Sequence, residues 1–153
     1  MRVVGDSMSL LELKYQQEIS IKRVKYEVLS VTRFREKSSY WVEYALRRLR
    51  DRKIFYMSVE PDSKIILYEM LENTMIDLEM NIRFKGHTYE LLEMGKAKVE
   101  TYYGMIDVRL NEEVGYYEYQ SLRDKKLFLS VEKWEYETEV SLGKLLSPSA
   151  IRY

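Results

Sequence analysis

Apolar and polar residues alternate with a period of two along most of this chain. Between Val24 and Phe34, Val24, Tyr26, Val28 and Ser30 share one side, and Lys25, Glu27, Leu29 and Val31 the other. From Trp134 to Val140, Trp134, Tyr136, Thr138 and Val140 face one way, and Glu135, Glu137 and Glu139 the other. Strict alternation puts one face of a strand on a core and one in water, whereas a helix would scatter the same residues around its circumference. Further strands are expected over 40–49, 54–59, 65–70, 88–94, 96–103, 106–110, 115–122 and 127–131. Short turns divide them, among them 36–39, 50–53, Gly86-His87, Gly95, Gly104, 111–113 and 123–126. Short strands at this spacing predict antiparallel meanders, an all-β fold closing as a sandwich or partly open barrel. At most one short helical turn accompanies them, at Ser9–Leu13 with Ser9 as N-cap and Glu12 three residues on. The stretch Tyr68 to Met80 fits neither period.

The same words recur in the same order. Tyr26-Glu27-Val28-Leu29 returns as Tyr89-Glu90-Leu91-Leu92, and Glu43-Tyr44 as Glu118-Tyr119. Leu49-Arg50-Asp51-Arg52-Lys53 returns as Leu122-Arg123-Asp124-Lys125-Lys126, and Ser58-Val59-Glu60 as Ser130-Val131-Glu132. The expectation is one domain over 1–153 built from two similar units, about 21–62 and about 82–142. Each unit is too small to bury its apolar face alone, so the two pack together.

Composition narrows the function classes. Lys plus Arg and Asp plus Glu both number 25, so no overall field steers nucleic acid or anionic membrane. With no Cys there is no disulfide framework, thiolate zinc site or cysteine nucleophile. The N-terminus, Met1 to Asp6, has no continuous apolar core, and no apolar run is long enough to span a membrane, so a cytoplasmic protein is expected. Tyr is abundant, at 14 residues, which suits half-wet strand faces.

Three features bear on chemistry. His87, the sole histidine, sits in a turn where an exposed role is expected, and a lone His without Cys argues against zinc. The acidic run Glu132, Glu135, Glu137 and Glu139 places three carboxylates on one strand face, where they could hold a divalent cation or supply an acid and base; a solvated face paired with Lys and Arg is the plainer reading. From Lys22 to Lys53 there are 11 basic residues against 4 acidic ones, with Tyr26, Phe34, Tyr40, Trp41 and Tyr44 among them, while Glu60 to Met80 carries 6 acidic residues and 1 Lys. A basic aromatic surface can bind nucleic acid, but no nucleic-acid motif is present, and pairing of the basic with the acidic segment is favoured. No phosphate loop, GxSxG elbow or HExxH helix occurs.

The residue framework resembles a known family. Tyr26-Glu27-Val28, Trp41-Val42-Glu43-Tyr44-Ala45-Leu46 and Phe55-Tyr56-Met57-Ser58-Val59-Glu60 are similar to the first half of the prokaryotic "domain of unknown function 4178" family. Phe84-Lys85-Gly86-His87-Thr88-Tyr89-Glu90-Leu91, Tyr116-Tyr117-Glu118-Tyr119 and Leu129 to Trp134 are similar to its second half. The acidic stretch 135–140 followed by Ser141-Leu142-Gly143 resembles its terminal signature. Gln16-Gln17-Glu18 departs from the family, where a Gly-Asp turn is expected. The resemblance covers roughly residues 10 to 153 and implies a prokaryotic intracellular β-rich protein, with no established activity, substrate or catalytic residue.

These readings favour a non-enzymatic binding or scaffold module for a protein partner, with no catalytic or metal-ligating residues and no cofactor. Its surface is assigned to Tyr40, Trp41, Glu43, Tyr44, Glu118, Tyr119, Glu132 and Trp134. The alternatives are a nucleic-acid-binding module using 22–53 and an enzyme or divalent-cation site using the carboxylate row 132–139.

Overall fold

The computed structural model describes residues 10–105 and 109–153. Among them are eleven strands: β1 (Glu18–Ile21), β2 (Val24–Glu36), β3 (Ser39–Arg48), β4 (Ile54–Val59), β5 (Ile65–Leu71), β6 (Asn81–Phe84), β7 (His87–Gly104), β8 (Glu113–Ser121), β9 (Leu127–Lys133), β10 (Thr138–Leu146) and β11 (Ile151–Arg152). One 3-10 turn, Pro148–Ala150, precedes β11. No helix of the described residues is long and apolar enough to cross a membrane.

Neither a sandwich nor a partly open barrel forms. Strands β2-β3-β4-β5-β10-β9-β8-β7 make a continuous antiparallel ring, closed where β7 pairs with β2. The two longest strands perform the closure. The start of β2 pairs with β1, and its far end, from Ser30 to Arg35, pairs with β7. In the same way the start of β7 pairs with β6 and its far end with β2. Each carries a register shift on the way, between Val28 and Ser30 in β2 and between Leu91 and Glu93 in β7. A bulge bends a strand and increases its twist, which lets one strand leave its covering partner and turn into a ring.

One expected turn and one expected strand prove otherwise. Gly95 lies inside β7, so 88–94 and 96–103 are one strand. A Cβ at Gly95 would stand 2.8 Å from the Tyr116 hydroxyl and closer still to the Glu36 carboxylate, so this glycine permits close approach. Conversely, the alternating stretch 134–140 is interrupted. β9 ends at Lys133, the Trp134 N–H donates to the Glu137 carbonyl at 2.9 Å, and β10 begins at Thr138. Period two runs through a tight hairpin as easily as along a strand, so the pattern hides the turn. The expected strand 106–110 falls on residues outside those described at 106–108, and Arg109 and Leu110 are not in a strand. Ser9 is also outside them, while Leu11 and Glu12 lie in a turn. Gln16 adopts φ 71°, so this turn forms without the family's glycine.

The apolar core lies mostly outside the ring. The outward faces of β2 to β5 present Val28, Tyr44, Leu46, Met57 and Val59, covered by Leu10, Leu13, Ile19 and Ile21 and by Ile151. The outward faces of β7 to β10 present Tyr89, Tyr119, Leu129, Val131 and Val140, covered by Ile76, Leu78, Ile82 and Phe84. Residues 72–80, of ambiguous period in the sequence, thus belong to a cover rather than to a strand or helix. One tyrosine pins each cover: Tyr44 donates to the Leu10 carbonyl at 2.6 Å, and Tyr119 to the Glu79 carbonyl at 2.9 Å.

Candidate functional site

Because the apolar faces point outward under covers, the alternate positions of the ring strands point inward. Those positions are largely polar. They enclose a cavity of about 380 Å³, to which Ser30, Ser58, Ser130 and Ser141 contribute small polar surface. Two apolar clusters adjoin it. Phe34, Ala97, Val99 and Val114 form one cluster with Trp41, Tyr116 and Trp134. Ile66, Tyr68 and Phe128 form the other with Tyr56. Phe34 stacks on Trp41 with centroids 5.3 Å apart, and Tyr116 meets the Trp41 ring edge-on at 5.5 Å.

The lumen is acidic, in two groups. The first contains Glu60 at the end of β4 and Glu118 on β8. Lys64 serves both, with Nζ 2.8 Å from Glu118 and 3.8 Å from Glu60. Burial raises the Glu60 carboxyl to about 7 against the pull of Lys64. The second group contains Glu43 on β3, Glu132 on β9 and Glu139 on β10, with Glu132 directly opposite Glu139 across the two strands. Arg109 is held there by Glu137 and by Glu139, the latter at 3.1 Å, and its guanidinium lies 4.1 Å over the Trp134 ring. Among the described residues Glu43 and Glu132 have no ion-pair partner.

Desolvation dominates the second group. It raises Glu132 to about 7, helped by repulsion from Glu139 and opposed by the Trp134 indole N–H and Arg109. It raises Glu43 well above the ordinary carboxylate range, with Glu132 and Glu139 adding repulsion and Arg109 opposing. Glu139 is also raised by burial, less so because Arg109 holds its charge. The Trp134 indole nitrogen is buried and makes no hydrogen bond of ordinary geometry. Among the described residues no three carboxylate or histidine side chains converge as a metal-ligating set.

Of the residues assigned from sequence, the structure brings Trp41, Glu43, Glu118, Glu132 and Trp134 to one lumen. Tyr44 and Tyr119 point the opposite way, buried beneath the covers. Tyr40 packs on the outer side, with the Arg33 guanidinium 3.8 Å above its ring. The carboxylate row does not exist as a single face, since the hairpin leaves Glu135 exposed and turns Glu137 and Glu139 to Arg109. Sequence reasoning missed Lys64, Arg109, Tyr56 and Tyr68. The serines at matched positions, Ser58 and Ser130, are the trace of a polar interior that the sequence did offer.

His87 is half-buried rather than exposed. Its Nδ1 lies 3.0 Å from the Ser121 hydroxyl and its Nε2 3.0 Å from the Arg123 guanidinium. Ser121 also accepts from the Arg123 and Asp124 N–H groups, so the cluster ties the β6–β7 turn to the β8–β9 turn, away from the cavity. The ion pairs of the basic stretch go mostly to acids outside the segment 60–80: Lys25 with Glu18, Arg47 with Glu27, Arg48 with Asp51, and Arg33 and Arg35 with Glu100, while Lys53 pairs with Glu69.

A family model matches residues 14–148, from the turn before β1 to the start of the 3-10 turn. The chain belongs to the family Domain of unknown function (DUF4178). The match spans every strand of the barrel, so the lumen lies wholly within the DUF4178 region. No curated protein and no solved structure matches this DUF4178 chain.

Proposed function

We propose that this chain is a non-enzymatic binding module that takes a small ligand into the barrel lumen. The observation that carries the reading is the 380 Å³ cavity lined by carboxylates, serines and aromatic rings. An eight-stranded ring is just wide enough for its side chains to fill, or to hold one small molecule. Here small polar residues stand where apolar packing would add stability, and Glu43 and Glu132, both partly buried, have no ion-pair partner among the described residues, an arrangement that costs stability unless something uses it. The volume falls in the usual range of small-molecule sites. This reading replaces the protein partner expected from sequence with a small ligand held in the interior.

A cytoplasmic setting and a tandem origin of the two halves belong to the same proposal. In favour of the second, matched words are cross-strand neighbours in both halves: Glu43 faces Ser58, and Glu118 faces Ser130.

The test is to purify the protein under native conditions, denature it and search the released fraction by mass spectrometry. A small molecule near one equivalent is expected, absent from a Ser130→Phe variant that melts cooperatively. If the native protein releases nothing and no low-molecular-weight extract raises its melting temperature, the lumen is not a binding site.

A further inference from the structure

The two acidic groups of the lumen are built alike, and they differ in one charge. In one, Glu60 comes from the Ser-Val-Glu word of the first half and Glu118 from the Glu-Tyr word of the second. In the other, Glu132 comes from the Ser-Val-Glu word of the second half and Glu43 from the Glu-Tyr word of the first. Opposite Glu60 across the strands stands Lys64, whose carbonyl accepts from the Glu60 N–H at 3.0 Å, and whose ammonium reaches both carboxylates. Opposite Glu132 stands Glu139. The position that supplies a cation in one group supplies a further carboxylate in the other. Arg109 does not make up the deficit, because Glu137 and Glu139 already hold it.

From this charge reversal, together with the cavity beside it, we propose that the Glu43–Glu132 side of the lumen receives a small organic cation, an amine carrying an apolar or aromatic body. The assignment rests on the lumen being a ligand site. The ammonium takes the place that Lys64 occupies in the other group, between Glu43 and Glu132. The body lies against Trp41, Tyr116 and Trp134, whose π faces attract cations and stack on flat rings. The protein already demonstrates this chemistry within itself: the Arg109 guanidinium is sandwiched between the Trp134 face and two carboxylates. A bare metal ion is a poor fit, since among the described residues no three carboxylate or histidine side chains converge as a metal-ligating set.

Without a bound cation, protons would do what the ligand does. Glu43 faces Glu132, Glu139, Arg109 and the Tyr56 hydroxyl, and burial holds both Glu43 and Glu132 toward the protonated form. An entering ammonium favours the carboxylates, so near neutral pH binding releases protons and affinity rises as pH rises.

The experiment is isothermal titration at pH 7.5 with three probes of one shape: tryptamine, indole-3-ethanol and indole-3-acetate. Tryptamine is expected to bind at least tenfold more tightly than the neutral alcohol, with the acid weakest, and its binding heat should vary with the ionisation enthalpy of the buffer. Glu43→Gln and Glu132→Gln should each abolish the tenfold preference, while Glu135→Gln, on the exposed hairpin, leaves it intact. Thermal melts of all variants confirm folding. Equal binding of the three probes keeps the lumen as a ligand site and overturns the cation assignment. Tighter binding of the acid, or no binding of tryptamine by a protein that does release a native small molecule, overturns it as well. A preference unchanged in both Gln variants moves the cation elsewhere and ends the proposal.

Discussion

The two halves of the barrel use the same outer architecture to hold different interiors. Outside, each half pins a covering segment with a buried tyrosine, Tyr44 on β3 and Tyr119 on β8. Inside, the residue before each tyrosine is a glutamate, and there the likeness stops: Glu118 is 2.8 Å from Lys64, whereas Glu43 faces two more carboxyls. Covers demand apolar complementarity, so they tolerate little divergence. A lumen demands only that charges be satisfied by something, whether a lysine, a proton or a ligand. The comparison teaches that apolar packing is written on the outer face of this wall and charge on the inner one.

The seam between the halves gives the sharpest way to break that comparison. β5 and β10 pair in antiparallel register, and Tyr68 stands directly opposite Gly143. A Cβ at Gly143 would lie 2.6 Å from both the Tyr68 ring and Ile66, so the ring fits in the lumen only because its neighbour has no side chain. Gly143→Val should cost on the order of 3 kcal/mol, by overpacking. Gly115 is the control, since a Cβ there would meet nothing closer than 3.9 Å. Gly115→Val should change the urea midpoint little. Equal losses in both variants would show that strand glycine, not the Tyr68 contact, sets the effect.

The strands were legible in the sequence because period two reports the pleat directly, and β4 is found over Ile54–Val59 as expected. The repeated words were legible because Glu43-Tyr44 and Glu118-Tyr119, and Ser58-Val59 and Ser130-Val131, each set a polar residue inward and an apolar residue outward. Which face meets the core was not legible in the same way. Alternation says that Glu43 and Tyr44 point oppositely, but not that the polar side is enclosed. Closure depends on two bulged strands meeting through β2–β7, a contact between residues about 70 apart that no local pattern announces. The hairpin at 134–137 was hidden for a related reason: Glu135, Glu137 and Glu139 keep their alternation while the backbone turns beneath them. Arg109 lay outside every motif, and only the fold carries it to Trp134.

The next test sets the two carboxylate groups against each other. Glu132 keeps its proton to about pH 7 in the folded protein, whereas the unfolded chain releases it near the ordinary 4.5. Between those values the folded state binds more protons, so stability is highest on the acid side and falls as pH rises toward 7. Glu132→Gln should reduce that fall, to which Glu43 and Glu60 also contribute, and stabilise the protein at pH 8 by about 2 kcal/mol, measured as urea unfolding from pH 5 to pH 8. Lys64→Met works in the opposite sense. It leaves Glu60 and Glu118 without their shared cation and should destabilise by roughly 1–2 kcal/mol at pH 8, and by less at pH 5 where the Glu60 carboxyl takes up a proton. If both variants shift stability in the same direction, the difference in charge between the two groups is not what distinguishes them.

The smallest effect separates the two anchoring tyrosines. Tyr44 does more than Tyr119: besides donating to the Leu10 carbonyl, its oxygen accepts from the Leu13 N–H at 3.2 Å, closing the turn of the first cover. Tyr119 makes one bond, to the Glu79 carbonyl. Removing either hydroxyl keeps the ring and its packing but strands the backbone groups it served, and each buried group left unpaired costs about 1 kcal/mol or more. Tyr44→Phe should therefore cost about 2 kcal/mol and Tyr119→Phe about 1 kcal/mol. The loss should be local as well as global. Amide exchange at Leu13 should accelerate more than exchange at Leu129, in the wall beneath the other cover, when Tyr44 is changed. Equal costs, or exchange that rises evenly across both halves, would mean that the covers do not open independently and that the wall and its two covers unfold as one unit.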